Sequence, residues 1–518
     1  MTRLRLHPRP LRPISKQGQG RPHPSTYTNF INFAPFRAGL ALIAAMFAAP
    51  ALAQPAPDTA RIDRDLRQLV APVSEQRLRR DIDTLVGFGT RHTLSSQTDP
   101  KRGIGAALRW TEAEFGRISR ACGGCLQIAK PEDTVTGRRV PTPTRVWNVL
   151  AVQRGTTDPN RVIILSGHID SRVSDVMDAT KDAPGANDDG SGTALVIEAA
   201  RVLSKHKFPA TIVYAVLSGE EQGLLGGKIL ADYAKAQGWA VEANLNNDIV
   251  GNTCGSDGVC EPNVVRVFSE AVRADGGPDY LAAIRSQGGE NDAPSRNLSR
   301  FTDSLADRLK LGLDVRQVWR NDRFGRGGDH SELLKAGYPA VRFTVGVEDY
   351  DHQHQDLRVE NGTKYGDTAD EMNFPYLAKV TRLNLATAVA LARAPAVPAV
   401  WAEGAVKPDT TVSVAQAGSA ARNRLYYRRT DANPWTPVPA ARVRNLAIAL
   451  SNMPDSAGPI PANAPAASST GYVLGGIRID DWVFGASSVS ADGYESPVAS
   501  ALPGGAFKPL PPAPAARP

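Results

Sequence analysis

The chain has 518 residues, of which 42% are hydrophobic, 22% charged and 6% aromatic. These proportions exclude a collagen, a coiled coil and a wholly disordered chain, and at roughly 100–200 residues per domain the length allows two or three domains. The formal charge of +7 does not indicate nucleic acid as a partner: residues 1–53 carry Arg3, Arg5, Arg9, Arg12, Lys16, Arg21 and Arg37 and no acidic residue, which leaves 53 basic and 53 acidic residues in the remainder.

The basic segment leads into an apolar run, residues 38–50, followed by Ala51-Leu52-Ala53 and then Gln54. A positive stretch, a short apolar core and an A-x-A site are the order of a secretory signal peptide. The core is too short for a membrane span, which needs ~20 residues. The chain is therefore expected to be exported, to the periplasm or the medium, with no membrane span in the mature protein. Export makes the four cysteines readable as two local disulfides, Cys122 with Cys125 and Cys254 with Cys260. Four cysteines also allow other pairings, and four thiolates on zinc are the alternative. Gly255 and Gly258 let the second loop fold back far enough to bring the Cα atoms within ~7 Å.

Apolar spacing predicts helices over 74–86 and 104–115, then a change to alternation. Residues 146–152, 162–165, 212–217, 264–268 and 340–345 are short β-branched runs, with a helix over 193–203 among them. Strands of this kind alternating with helices predict an α/β domain, a mostly parallel sheet with helices on both faces. Sites in such sheets lie beyond the carboxyl ends of the strands. The helical pattern ends near Arg393; residues 394–403 read as a linker, 404–501 as a small all-β sandwich and 502–518 as a disordered Pro-rich tail.

Chemistry-bearing residues gather where strands end. His168 and Asp170 stand in S-G-H-I-D-S after one apolar run, and Asp188 and Asp189 in the glycine-rich loop A-P-G-A-N-D-D-G-S-G. The string I-V-Y-A-V-L-S-G-E-E closes another strand on Glu220 and Glu221, N-L-N-N-D presents Asp248, and E-D-Y-D-H-Q-H-Q-D holds His352, His354 and Asp356. Adjacent carboxylates at a buried strand end are costly without a cation or a shared proton. Imidazoles and carboxylates from separate strand ends form the ligand set of zinc pairs. Of two neighbouring glutamates, one can bind metal while the other handles protons.

In their order these motifs resemble the dizinc exopeptidases of the bacterial leucyl aminopeptidase type, peptidase family M28, over residues 62–393. The resemblance implies a phosphorylase/hydrolase-like fold, two Zn²⁺ per chain and a peptide substrate opened from its N-terminal end through a metal-bridging hydroxide. It implies His168, Asp188, Glu221, Asp248 and His352 as metal ligands and Glu220 as general base. Asp170, Asp189 and Asp356 would support the ligands from behind. His352 is preferred to His354 because the family's last histidine precedes an aspartate by four residues, as His352 precedes Asp356. Tyr350, Asp329 and His330 match positions near the substrate. Two departures stand out: Asp351 precedes His352 where many members have tyrosine, and Gly328 replaces a serine before Asp329-His330. The sandwich resembles a fibronectin type III domain in R-L-Y-Y-R-R-T and W-V-F-G-A-S-S-V-S-A-D-G-Y-E-S-P, and no partner for it is named by the sequence. The alternatives are a glutamate carboxypeptidase-like enzyme using Arg323 and Arg326 for a free carboxylate, a single-zinc glutaminyl cyclase, and a non-catalytic binding ectodomain of the same fold, which should have lost ligands that this chain keeps.

Overall fold

The computed structural model describes residues 59–415, 420–447 and 469–511. The predicted leader, residues 1–53, lies outside them, as do residues 448–450 of a predicted strand and the last seven residues of the predicted tail. The elements follow as α1 (Thr59–Val70), α2 (Glu75–Val86), α3 (Ile104–Ala121), β1 (Gln127–Ala129), β2 (Glu132–Gly137), β3 (Val140–Trp147), β4 (Val149–Gln153), β5 (Asp158–His168), α4 (Gly190–Leu203), β6 (Ala210–Leu217), α5 (Leu225–Ala236) and β7 (Ala240–Asn247). Then come β8 (Val264–Phe268), α6 (Pro278–Gln287), α7 (Pro294–Leu309), β9 (Asp314–Val318), α8 (His330–Lys335), β10 (Ala340–Val345), β11 (Arg358–Glu360), β12 (Thr363–Tyr365) and α9 (Phe374–Arg393).

The central sheet runs β1-β4-β6-β5-β7-β10-β8-β9. Its middle, β6-β5-β7-β10, is parallel, while β1, β4 and the β10–β8 pair are antiparallel, so the sheet is mixed. β5 reads as an unbroken apolar run because both faces are covered. Ile163 and Leu165 pack toward α4 and α9, and Val162 and Ile164 toward Leu230 of α5 and Leu333 of α8. The predicted strand over 146–152 is two strands. It breaks at Asn148, whose side chain accepts from Ser218 N at 3.1 Å and donates to Gly226 O at 2.9 Å; β3 pairs with β2 instead. Sequence periodicity gave no sign of β7, spelled A-V-E-A-N-L-N-N. Its asparagines are buried and bond to the neighbouring strand β5: Asn244 Nδ2 donates to Ser166 Oγ at 2.8 Å, and Ser166 Oγ donates to Asn246 Oδ1 at 2.9 Å.

Beyond α9, β13 (Ala399–Glu403), β14 (Thr410–Ala415), β15 (Arg422–Arg429), β16 (Thr436–Pro437), β17 (Val443–Ala447), β18 (Ser469–Leu474), β19 (Trp482–Val489) and β20 (Ala499–Ser500) form two four-stranded antiparallel sheets. Val412, Val414, Leu425, Phe484 and Ala486 lie between them. Both cysteine pairs are disulfides, with Cα atoms 5.6 Å apart for Cys122–Cys125 and 4.0 Å for Cys254–Cys260. Among the described residues no helix is long and apolar enough to cross a membrane.

Two domain boundaries differ from the sequence reading. Half of the predicted linker is β13, and the rest is held: Arg161 Nη2 donates to Ala394 O at 2.7 Å, and Val397 N to Glu242 Oε1 at 2.6 Å. Residues 502–511 of the predicted disordered tail are also fixed. Composition denies them a core of their own, but their carbonyls serve as acceptors for Arg273, which donates to Ala506 O at 2.8 Å and Lys508 O at 2.7 Å. The described residues form one compact unit. Arg428 of β15 and Asp292 before α7, both nearly fully buried, make an ion pair that joins the sandwich to the α/β part.

Arg428→Ala is expected to lower the unfolding free energy by about 3–5 kcal/mol, the usual effect of leaving Asp292 buried without its partner. A denaturant midpoint equal to that of the parent chain would refute this. A second expectation concerns pH. Burial pushes Glu270 up to about 8, although Ala274 N–H and Arg273 pull the other way. The folded chain thus keeps a proton that the unfolded chain releases above about 4.5, so this group's contribution to stability is full below that pH, falls as pH rises toward about 8 and is constant beyond. Glu270→Gln should flatten the fall, as thermal denaturation across that window will show.

Candidate metal centre

The sheet brings four of the five predicted metal ligands to one place together with Glu220, and the loop after β10 adds His354. β5 ends in His168, the loop before α4 holds Asp188, the β6–α5 turn carries Glu220 and Glu221, and Asp248 follows β7. Two groups of donors converge there, His168 with Asp188 and Asp248, and Asp188 with Glu221 and His354; within each, the donor atoms lie within 4.8 Å of one another. One oxygen of Asp188 lies 3.2 Å from His168 Nε2 and the other 2.8 Å from His354 Nε2, so a single carboxylate belongs to both. Glu221 Oε1 lies 3.0 Å from His354 Nε2. Despite this closeness, His168 Nε2 and Glu221 Oε1 are buried and make no hydrogen bond. Each belongs to one of the two groups of converging donors.

The support behind these donors is dense. Asp170 acts less on the His168 ring, whose Nδ1 lies 3.1 Å from Asp170 O, than on the turn bearing the glutamates. Its Oδ1 accepts from Gly219 N at 2.9 Å and Glu220 N at 3.2 Å, and its Oδ2 from Glu221 N at 3.1 Å and Thr93 Oγ1 at 2.9 Å. Asp189 caps α4 through Gly192 N at 2.8 Å and holds His168 N at 2.9 Å. Asp367 accepts from Asp188 N at 2.7 Å. Fully buried Arg91 donates to Ile169 O at 2.6 Å, Leu85 O at 3.1 Å, Gly185 O at 2.8 Å and Pro184 O, stitching the aspartate loop to the end of β5.

Charge is balanced by guanidinium groups that the sequence reading missed. Arg342, wholly buried in β10, lies 2.8 Å from Asp248 Oδ1 and 2.7 Å from Asp322 Oδ1. An arginine inside A-V-R-F-T-V was the one signal in the sequence for a buried acidic partner. Arg172 Nε lies 2.9 Å from Glu221 Oε2. Burial pushes Asp248 up, but Arg342, then His168 and Arg323, pull it well below the carboxylate range. Burial likewise pushes Asp188 up, and His354 and His168 overcome it. His168 is opposed by burial yet raised well above the usual imidazole value by Asp170, Asp188 and Asp248. Glu220 differs: burial raises it, and Glu221, Asp248 and Asp329 add to the effect.

Several expected placements change. His354, not His352, completes the donor set. A left-handed backbone at His354, φ 56°, turns its ring inward, whereas His352 Nδ1 lies 2.7 Å from Asp349 Oδ2 on the turn before it. Four-residue spacing misled because Asp356 supports neither ring; it accepts from Ser174 Oγ at 2.8 Å and pairs with Lys181 at 3.2 Å. Tyr350 is 60% exposed, with its N–H 3.3 Å from Ser256 Oγ. Asp329 and His330 are buried at the start of α8, out of a substrate's reach. Asp329 Oδ1 accepts from Gly227 N at 2.9 Å, and His330 Nε2 lies 2.9 Å from Asn321 O.

Comparison with known proteins identifies the family. The model of "Peptidase family M28" matches residues 148–381. A probable zinc metalloprotease of Leptosphaeria maculans is 39% identical over 469 residues, covering 88% of this chain and 99% of its own length. The chain belongs to peptidase family M28. A probable zinc metalloprotease of Pyricularia oryzae is 40% identical over 455 residues, 85% of each chain. The solved Legionella pneumophila LapA aminopeptidase aligns with a TM-score of 0.44 at 18% identity, covering 63% of this chain and 74% of its own. In this M28 peptidase the second histidine among the converging donors is His354, two positions beyond the one that spacing favoured.

His354→Ala is expected to lose roughly one equivalent of bound metal per chain and His352→Ala none, since only the first removes a donor from the shared cluster. Elemental analysis of the two purified variants checks this; equal losses would contradict the assignment.

Proposed function

We propose that this chain is an exported zinc aminopeptidase with two metal sites, removing N-terminal residues from peptides. The observation that carries the reading is the division of Asp188 between two donor groups, one oxygen toward His168 and the other toward His354. The donors, nitrogen and carboxylate oxygen only, suit zinc. His168, Asp188 and Asp248 would hold one ion, and Asp188, Glu221 and His354 the other. When bound, such ions supply Lewis-acid polarisation of the scissile carbonyl and a nucleophile at neutral pH.

The chain's own groups do the rest. Asp170 fixes the turn so that Glu221 points into the cluster while Glu220, its neighbour, keeps its carboxyl group out of the donor set. In the reading proposed, Glu220 takes a proton from the attacking water and delivers it to the leaving amine, the work of a positioned general base. The cleft beside Asp188 is lined by Asp349, Asp367 and Glu371, a surface that favours an ammonium end over a carboxylate end. The carboxypeptidase alternative needs free basic groups, and Arg323 and Arg326 are already committed to Glu348 at 3.2 and 2.8 Å. Export is supported by the basic and apolar leader together with both disulfides. The C-terminal sheets are read as a fibronectin type III-like support.

Glu220→Gln should keep its metal and lose about 10²- to 10⁴-fold in turnover of an aminoacyl reporter substrate. Asp188→Ala should lose metal and activity together. N-acylated dipeptides ending in glutamate should be poor substrates for the parent chain, and a chelator should abolish aminoacyl cleavage. Faster turnover of the acylated dipeptides would favour the carboxypeptidase reading.

A further inference from the structure

The turn that bears Glu220 and Glu221 is touched from outside the central sheet by the hairpin of β2 and β3. β3 packs against the start of the turn: a Cβ on Gly219 would lie 3.1 Å from Val146 Cγ1. Arg138 and Arg139 form the tip of the hairpin, and Arg139 Nη1 donates to Glu221 O at 2.8 Å. That carbonyl is a neutral partner. Arg139 makes no ion pair with any described residue, and its other guanidinium donors are neither hydrogen-bonded nor buried. The other arginines near the centre differ: Arg172 answers Glu221, Arg342 answers Asp248, and Arg323 and Arg326 answer Glu348. A guanidinium anchored by one N–H on the backbone of a metal donor, with the rest of its planar fork open, is suited to receive a carboxylate.

Its place in the site says which carboxylate. On the reading proposed above, the substrate's ammonium lies in the cleft beside Asp188 lined by Asp349 and Glu371, to which neither the glutamate turn nor the hairpin contributes. Glu220 delivers its proton to the leaving nitrogen, so that nitrogen stands beside the turn to which Arg139 is bonded. In a dipeptide the C-terminal carboxylate carbon is two bonds from the leaving nitrogen. Each further residue carries the carboxylate away by up to ~3.3–3.6 Å, and a hairpin tip fastened to the turn cannot follow it.

We propose, resting on the aminopeptidase reading, that Arg139 holds the C-terminal carboxylate of the substrate and that the preferred substrates are dipeptides with both ends free. Acidic groups then take one end and a guanidinium the other, so charge fixes the direction of the substrate and its length together. An amidated dipeptide loses the contact with Arg139 and keeps everything else.

The test is steady-state kinetics of the full mature chain, metals in place, on L-leucyl-L-alanine, L-leucyl-L-alaninamide and L-leucyl-trialanine, with N-acetyl-L-leucyl-L-alanine as the blocked comparison. The free dipeptide should exceed its amide in kcat/KM by about 10- to 100-fold, the worth of one charge-assisted hydrogen bond, with the tetrapeptide near the amide. Arg139→Gln keeps an N–H for Glu221 O but removes the charge, and should bring the acid-to-amide ratio to about one with metal content unchanged. Arg139→Lys should restore part of the ratio. Arg138→Gln removes an equal charge from the same tip at an exposed residue that does not touch the turn, and should leave the ratio as in the parent. A parent ratio near one, a ratio that survives in Arg139→Gln, or the same collapse in Arg138→Gln would each overturn the proposal while the aminopeptidase reading stands. Cleavage of the N-acetyl dipeptide in place of the free-amine substrates would overturn that reading and this inference with it.

Discussion

Carboxylates crowd the carboxyl ends of β5, β6 and β7 more closely than a protein interior tolerates without cations. Asp170, Asp188, Asp189, Glu221, Asp248 and Asp329 are all buried there. Their mutual repulsion in a poorly hydrated space fixes what else must be present. Arg342 and Arg323 answer Asp248, Arg172 answers Glu221, and two imidazoles answer Asp188. Arg172 contacts Glu221 Oε2 and leaves Oε1 beside His354, whereas Arg342 contacts Asp248 Oδ1, the oxygen that also lies 3.9 Å from His168 Nε2. The need for cations is met only in part by these pairs, since buried His168 Nε2 and Glu221 Oε1 still lack a hydrogen-bond partner. It also explains an arginine in the middle of β10, a position otherwise reserved for apolar residues.

Holding such a cluster still falls to backbone donors and acceptors. Asp170 gathers three consecutive N–H groups of the glutamate turn, so the strand that ends in His168 also sets the angle at which Glu221 enters. Arg91 does the complementary task with carbonyls, tying four of them around the loop of Asp188. Preorganisation of this kind leaves little conformational freedom to be lost when substrate binds. The price is concentrated in a few residues whose loss would free whole loops.

The C-terminal sheets are part of the same packed body. A buried ion pair, an arginine collecting carbonyls from residues 504–508, and the linker's contact with β7 all cross what composition marks as a boundary. Inter-domain surfaces this polar and this buried are closer to an internal interface than to a tether between independent domains.

Sequence by itself determined the fold class and most of the centre. Apolar strands ending in His168, Glu220 and Glu221, and a glycine-rich loop bearing Asp188 and Asp189, are local statements, because a charged group after a buried strand has few places to go. The two disulfides were legible for the same reason, each closing a short loop. What tertiary structure decided lay where local pattern and long-range environment part company. β7 escaped because its asparagines find their partner in Ser166 of β5, and no periodicity records a partner on another strand. The choice between His352 and His354 rested on a left-handed residue in a turn, which linear spacing cannot express. Arg172 and Arg342 were invisible as partners because their carboxylates stand 49 and 94 residues away in sequence. Residues 502–511 looked free because their composition offers no core, while the arginine that orders them belongs to a loop more than two hundred residues earlier.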